Sequence, residues 1–325
     1  MKMRQWLKLA SLFLVLNQAS AFAQDLALNW KPEPEFGGFY EALFKKYYEA
    51  AGLKINILPG GAGQPVTQMV AGKKVKFGIA AADEVILARA QGAKVVALFA
   101  VYQNNPQGFM VHPERKIKSL KELFQSDGTI ALQKGLPYTV WIEKQYAPIK
   151  AKVVPYTGGI TSFIQNPQFS QQCFIFSEPI AARREKLNPQ TFLISESGFN
   201  TYLASVIVHE DTLKNEPAMV AKFIEATRKG WQTYLADSKR TNIEMQKMNP
   251  SLDLGTFNEA AKLQKPFIET DETNAKGLGL MTIERWKKLY EQMAEVKLVK
   301  SGLDASRFFK NISTTPVKST AVKKK

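Results

Sequence analysis

Three observations in the sequence predict an α/β protein of about two domains. Short apolar, β-branched runs alternate with helix-patterned runs from residue 26 to residue 208. Glycine- and proline-rich turns stand between them, as a parallel or mixed sheet with crossover helices requires. The chain has 325 residues, enough for roughly two domains, each with its own hydrophobic core.

Residues 26–40, LALNWKPEPEFGGFY, organise the rest. Leu26, Ala27 and Leu28 begin a strand. Asn29 and Trp30 fall at its end, and Pro32-Glu33-Pro34-Glu35 breaks it before Gly37 and Gly38. A helical run follows over 39–50. In α/β proteins, ligands bind outside the carboxyl ends of strands, where loops lead into helices. A Trp face, two carboxylates and exposed glycine backbone at such a place suit a flat, amino-bearing ring. The competing reading is a rigid loop with solvated glutamates and a core tryptophan. By strand-like alternation only one of Glu33 and Glu35 is expected to point inward.

Further strand-then-helix units follow in order. Residues 53–58 read as a strand, then a Gly60-Gly61-Ala62-Gly63 turn and a helix from Val66. The turn lacks the Gly-Lys-Ser/Thr of a phosphate-binding P-loop but can still offer backbone N–H groups. The strand 76–81 leads to Asp83, an expected helix N-cap or ligand contact. Strands over 95–102 and 108–111 come next, then a helix opened by Ser119. A strand over 129–132 runs into a loop carrying Tyr138 and a helix with Trp141. A strand over 151–154 precedes the Gly158-Gly159 turn and a helix with Phe163 and Ile164. The run 173–176 reads as a short strand that ends on Ser177-Glu178-Pro179, again a carboxylate at a strand's carboxyl end. The last strand reads over 203–208. From Pro217 the pattern becomes helical, with Val220, Phe223, Ile224, Trp231 and Leu235 on one face. Two more amphipathic helices are expected around 257–265 and 283–293.

Composition narrows the function classes. Residues 1–23 carry Lys2, Arg4 and Lys8, a short apolar core and Ala21-Phe22-Ala23, and so read as a signal peptide cleaved after Ala23. With no cysteine at the cut, no lipid anchor is expected there, and the mature chain is expected to be periplasmic. The formal charge is +15. Removing the three cations of the leader and the four lysines of a Ser/Thr/Lys tail over 312–325 leaves +8. The remaining lysines are scattered, without the aromatic-interleaved basic block of a nucleic-acid binder. The tail reads as disordered. Cys173 is the one cysteine; its apolar surroundings mark it as a buried hydrophobe rather than a nucleophile. His112 and His209, each closing a strand, read as hinge or surface residues and do not make a metal site.

With LNWKPEPEFGGFYEA, the PGGAG turn, GIAAADEVILARA and QQCFIFSEP in view, the chain resembles the periplasmic solute-binding proteins of ABC importers. Within them it is similar to the group that binds thiamine-pyrimidine precursors and, more distantly, sulfonates. The resemblance spans nearly all of 24–311. It implies a bilobal type II periplasmic-binding-protein fold, two mixed-sheet α/β lobes with two crossover strands. Lobe 1 would comprise 24–111 and 207–311, and lobe 2 residues 112–206.

One branch of that superfamily contains enzymes that make the thiamine pyrimidine from a lysine-bound pyridoxal phosphate and a histidine. The matching stretch here, FGIAAADE, holds neither residue, and the cysteine cluster near the second crossover is replaced by FNTYLASVIV. A binder without catalytic residues, metal or cofactor is expected. Many family members carry a histidine where this chain has Phe36, an apolar ring that suits a flavin or another fused ring at least as well as a pyrimidine. The expected function is capture of a small heteroaromatic compound in the inter-lobe cleft by a monomer that hands it to an inner-membrane ABC permease. A sensor presenting the ligand to a membrane receptor needs the same cleft. The expected ligand contacts are Asn29, Trp30, Glu33, Glu35, Gly38, Tyr40, Gly61, Asp83, Tyr138, Gly158 and Glu178.

Overall fold

The computed structural model describes residues 24–61 and 63–312. The expected leader and most of the expected basic tail lie outside these residues. In chain order the strands are β1 (Gln24–Ala27), β2 (Ile55–Leu58), β3 (Phe77–Ala80), β4 (Val95–Tyr102) and β5 (Gln107–Val111). They continue with β6 (Thr129–Leu132), β7 (Lys152–Pro155), β8 (Phe169–Phe174), β9 (Gln190–Leu193) and β10 (Leu203–His209). They form two five-stranded sheets, ordered β2-β1-β3-β10-β4 and β7-β6-β8-β5-β9. In each sheet three neighbouring strands run parallel, β2-β1-β3 and β7-β6-β8. The strand beside them, β10 or β5, is antiparallel. The protein is therefore bilobal α/β, with mixed sheets.

The first sheet is covered on both faces, which is why β3 and β4 are apolar on both sides. β4 and β10 are buried along their whole length. On one face of the first sheet, the helix Gly37–Phe44 packs against the helix Pro217–Ala236. Val220, Phe223, Ile224 and Trp231 of the latter are fully buried in that core. The two helices approach closely because glycines meet: a Cβ on Gly230 would lie 2.2 Å from the Gly38 carbonyl oxygen. The opposite face is covered by the helices Val66–Ala71, Ala82–Ala90 and Ile283–Glu295.

Several expectations shift. The strand β5, expected in the first lobe, pairs with β8 and β9 in the second sheet. The chain thus changes sheets within 103–106, not at 111–112, and returns within 194–202, not at 206–207. Apolar runs on both sides of 103–106 disguise this crossover; the break is the polar Gln103-Asn104-Asn105-Pro106 itself. Three asparagines join the crossovers: Asn105 N donates to Asn200 Oδ1 (2.9 Å), and Asn200 Nδ2 to Asn104 Oδ1 (3.2 Å). The expected helix 39–50 is split at Lys46, whose φ of 57° is left-handed. β8 begins four residues earlier than expected and ends at Phe174, while β9 carried no recognised strand signal.

Neither histidine is at a hinge. β5 and β10 run antiparallel to their neighbours, so His112 and His209 sit at the sheet ends away from the parallel strands' carboxyl ends. His112 stacks on Phe163 at 3.9 Å, with Nε2 2.8 Å from the Phe163 carbonyl oxygen. His209 Nδ1 accepts from Asp211 N and caps the helix Glu210–Asn215. Cys173 is buried with Met110, Phe163 and Ala182 in a small second-lobe core.

Candidate ligand-binding cleft

Parallel strands place their carboxyl ends on one edge, so the loops after β1, β2 and β3 share a rim, as do those after β6, β7 and β8. The two rims meet in a narrow cleft. Glu33, Pro34 and Glu35 come from the first lobe, Phe174, Phe176 and Ser177 from the second, and Thr256 from the helix Leu254–Leu263 closes one side.

The first-lobe rim is a 3-10 turn, Pro34–Phe36, rather than continued strand. With three residues per turn the alternation of a strand is lost, and both Glu33 and Glu35 line the cleft. This corrects the expectation that only one points inward. Two buried amides hold the turn. Asn249 Nδ2 donates to the Pro32 carbonyl (3.1 Å) and lies 3.4 Å from Glu33 Oε1. Gln264 Nε2 donates to the Pro34 carbonyl (3.1 Å), and its own Oε1 accepts from Tyr102 Oη (2.6 Å). Trp30, half-buried against the first-lobe core, donates Nε1–H to Glu33 Oε1 at 3.2 Å.

From the second lobe, Glu178 opens the helix Glu178–Arg184. Its Oε1 accepts from Tyr156 Oη (2.6 Å) and its Oε2 from Phe174 N (2.8 Å). Burial pushes the Glu33 carboxyl up to about 7, reinforced by the charge of Glu178; the hydrogen bonds from Trp30 and Asn249 oppose this. Glu35 is raised well above the usual carboxylate range by burial, then by Glu33 and Glu178. Burial also raises Glu178, opposed by Tyr156. These three carboxyls converge from two lobes, and among the described residues only the exposed Lys31 opposes their charge. Beside them Tyr102 of the first lobe packs on Phe176 (5.7 Å) and Phe174 (5.8 Å) of the second.

Also on the first-lobe rim, after β3, Asp83 is buried in the first turn of the helix Ala82–Ala90, and its Oδ1 accepts from Thr201 Oγ1 at 3.1 Å. Burial, then the charge of Glu84, pushes Asp83 up to about 7. It is not the N-cap: Ala81 holds that position, and Glu84 Oε2 accepts from Ala81 N. Tyr138 of the second lobe, close enough to feel the Asp83 charge, donates to Gln172 Oε1 at 2.7 Å.

Other expected contacts fall elsewhere or stay open. Gly38 is a packing residue, since a Cβ there would lie 2.2 Å from the Trp231 ring. Gly60, not Gly61, makes the close approach in its turn: a Cβ on Gly60 would sit 2.1 Å from the Leu28 carbonyl oxygen, and none meets anything at Gly61. Gly158 is exposed in a left-handed conformation (φ 87°). Phe36 is fully buried in the first-lobe core. Tyr40 is also fully buried, and its hydroxyl, like Asn29 Oδ1, is a buried polar atom without a partner among the described residues. Asn249, Gln264, Tyr156 and Phe174 carried no motif that marked them as part of the cleft. For Asn249, Gln264 and Tyr156 the role follows from contacts 22 to 230 residues away in sequence.

Two mixed-sheet lobes with a cleft between facing rims define the class: the periplasmic-binding-protein fold. The solved aliphatic sulphonate binding protein SsuA from Escherichia coli matches with a TM-score of 0.67 at 13% identity, over 91% of this chain and 94% of that one. The desulfurization enzyme DSZB shares the fold more loosely, with a TM-score of 0.52 at 13% identity over 87% and 95% of the two chains. By sequence, residues 33–241 match the family model described as NMT1/THI5 like, and the chain belongs to that family. It is 25% identical over 312 residues to the riboflavin-binding protein RibY of Chloroflexus aurantiacus, covering 88% of this chain and 84% of that protein. Among the described residues no helix is long and apolar enough to cross a membrane.

Proposed function

We propose that the protein is the periplasmic solute-binding component of an ABC importer, and that its lobes close on an uncharged heteroaromatic vitamin. A flavin of the riboflavin type is the leading ligand and the thiamine pyrimidine precursor the next. The observation that carries this reading is the meeting of Glu33, Glu35 and Glu178 in one cleft with no ion-pair partner among the described residues. Such a cleft repels sulfonate or nitrate, which need cations or clustered N–H donors. It suits ring N–H groups and hydroxyls, which a carboxylate accepts, while a neutral carboxyl can donate to a ring carbonyl. Phe174 and Phe176 offer apolar area beside the acids, and Trp30 offers an indole face. The similarity to a protein named for riboflavin binding supports the fused ring over the single one.

In this reading 103–106 and 199–202 are the hinge, and ligand contacts to both rims favour the closed form. The closed form docks on a membrane permease. FGIAAADE offers no lysine or histidine for covalent chemistry, which supports binding without turnover. The test is titration of the purified mature protein with riboflavin, the thiamine pyrimidine precursor, methanesulfonate and nitrate, followed by fluorescence quenching and calorimetry. Saturable binding of a heterocycle is expected. Binding of an anion alone overturns the reading.

A further inference from the structure

We propose that the cleft discriminates by charge within one ring system, taking the free vitamin and rejecting its phosphate ester. The inference rests on the reading of the cleft as the ligand site and adds which chemical form is captured. A phosphate monoester brings about −1.5 to −2 charges at neutral pH, and the cleft is lined by acids. Glu33 and Glu35 line it from the first lobe, and Glu178 of the second lobe is close enough to raise both. A phosphate held among them meets carboxyls from both lobes.

The usual sources of phosphate affinity are already used. Helix N-termini attract anions, but of the rim helices only the five-residue Thr161–Gln165 starts without an acid or a proline. Asp83 and Glu84 occupy the first turn of Ala82–Ala90, Glu178 opens its own helix, and Pro137 begins Pro137–Gln145 without an N–H. Glu33 and Glu35 precede Gly37–Phe44. The cations near the rims, Lys31 and Lys134, are exposed. Arg183 and Arg184, on the helix that Glu178 opens, are paired with Glu259 and Asp253 at 2.8 and 2.9 Å. Tyr156 and Cys173, also within reach of Glu178, are uncharged at neutral pH, both held protonated by burial and then by Glu178.

Riboflavin and riboflavin 5′-phosphate share one fluorescent ring, so both affinities can be read by the same quenching titration. A unit charge about 7 Å from one ionised carboxyl, at an effective dielectric constant near 20, implies discrimination of about 50-fold. The expected result is riboflavin binding at least about 50-fold tighter than its phosphate at pH 8. The ratio should shrink toward pH 6 as carboxyls and phosphate take up protons, and should fall severalfold in Glu33→Gln. Equal affinities, a tighter phosphate ester, or a ratio that moves with neither pH nor Glu33→Gln overturns the inference. The pH series uses the unmodified protein and so decides even where the variant folds poorly. If neither flavin binds, the same ratio is read on the thiamine pyrimidine precursor and its phosphate. Silence in both pairs overturns the heteroaromatic reading itself, whereas capture of a phosphate ester overturns the charge filter alone.

Discussion

Tyr156 donates its hydroxyl hydrogen to Glu178 Oε1 at 2.6 Å, while Phe174 N donates to Oε2 at 2.8 Å. The second lobe thus fixes this carboxyl in the cleft before any ligand arrives. An ionised carboxylate offers about four lone-pair sites, so two remain to face a ligand. Glu178→Gln replaces one acceptor by an NH2 group against a donor. A charge-assisted hydrogen bond is worth about 1.5–3 kcal/mol, so ligand affinity should fall roughly tenfold or more. Calorimetry with the cognate heterocycle checks this. Unchanged affinity would remove Glu178 from the ligand's contacts.

The raised carboxyls make stability fall as pH rises. Glu33 and Asp83 sit near 7 in the folded protein, and Glu35 and Glu178 are raised in the same direction, against about 4.5 or lower for exposed carboxyls. Between those limits the folded state holds more protons than the unfolded one, so the slope of unfolding free energy with pH is negative. The stabilising protonation is fully present below about 4.5 and is lost as pH passes 7. The ligand-free melting temperature should drop from pH 5.5 to pH 8, and Glu35→Gln should flatten that drop. A change of 1 kcal/mol corresponds to about 2–4 °C in a chain of this size class. A melting temperature that rises over this interval would contradict the assignment.

The amide clamp on the 3-10 turn predicts a separable effect on binding. Gln264 is fully buried and links Tyr102 Oη to the Pro34 carbonyl. Gln264→Met keeps much of the volume but strands both partners, at about 1–3 kcal/mol for each buried polar group left unpaired. Tyr102→Phe removes the hydroxyl and keeps the amide's bond to Pro34. If the clamp positions Glu33 and Glu35, Gln264→Met should weaken ligand binding markedly more than Tyr102→Phe does. Similar affinities in the two variants would make the network a matter of stability alone.

Much of the fold was legible because strand and helix periods are local. Val95–Tyr102 and Thr129–Leu132 read at their observed bounds, and the buried stripe of Pro217–Ala236 followed from helical spacing. The sheet change at 103–106 was not legible, because β4 and β5 are both apolar and differ only in which sheet they join. The carboxylates of the cleft were legible as acids at strand ends. Their common direction was not, since a 3-10 turn opened by Pro34 rather than strand alternation sets it. Asn249 and Gln264 lie in helical sequence that looks generic, and only the tertiary fold brings them to the turn. Gly38 was read as backbone open to ligand, whereas the neighbouring helix consumes that space.

That packing gives the last prediction, a pair of glycine substitutions with opposite outcomes. Gly38 faces the Trp231 ring so closely that a Cβ would lie 2.2 Å from it, and Trp231 is fully buried with no room to turn aside. Gly38→Ala therefore forces the helices Gly37–Phe44 and Pro217–Ala236 apart, and overpacking of this kind costs about 1–3 kcal/mol. The helix Gly37–Phe44 begins directly after the Pro34–Phe36 turn, so part of that displacement reaches Glu35 and affinity falls along with stability. At Gly61 a Cβ meets nothing within 4 Å, and Gly61 is not among the glycines with positive φ. Gly61→Ala should leave stability within about 0.5 kcal/mol and leave flavin affinity unchanged. Denaturant unfolding and a flavin titration on both variants check the pair. A stable Gly38→Ala, or a Gly61→Ala that loses ligand, would reverse the roles assigned to the two glycines.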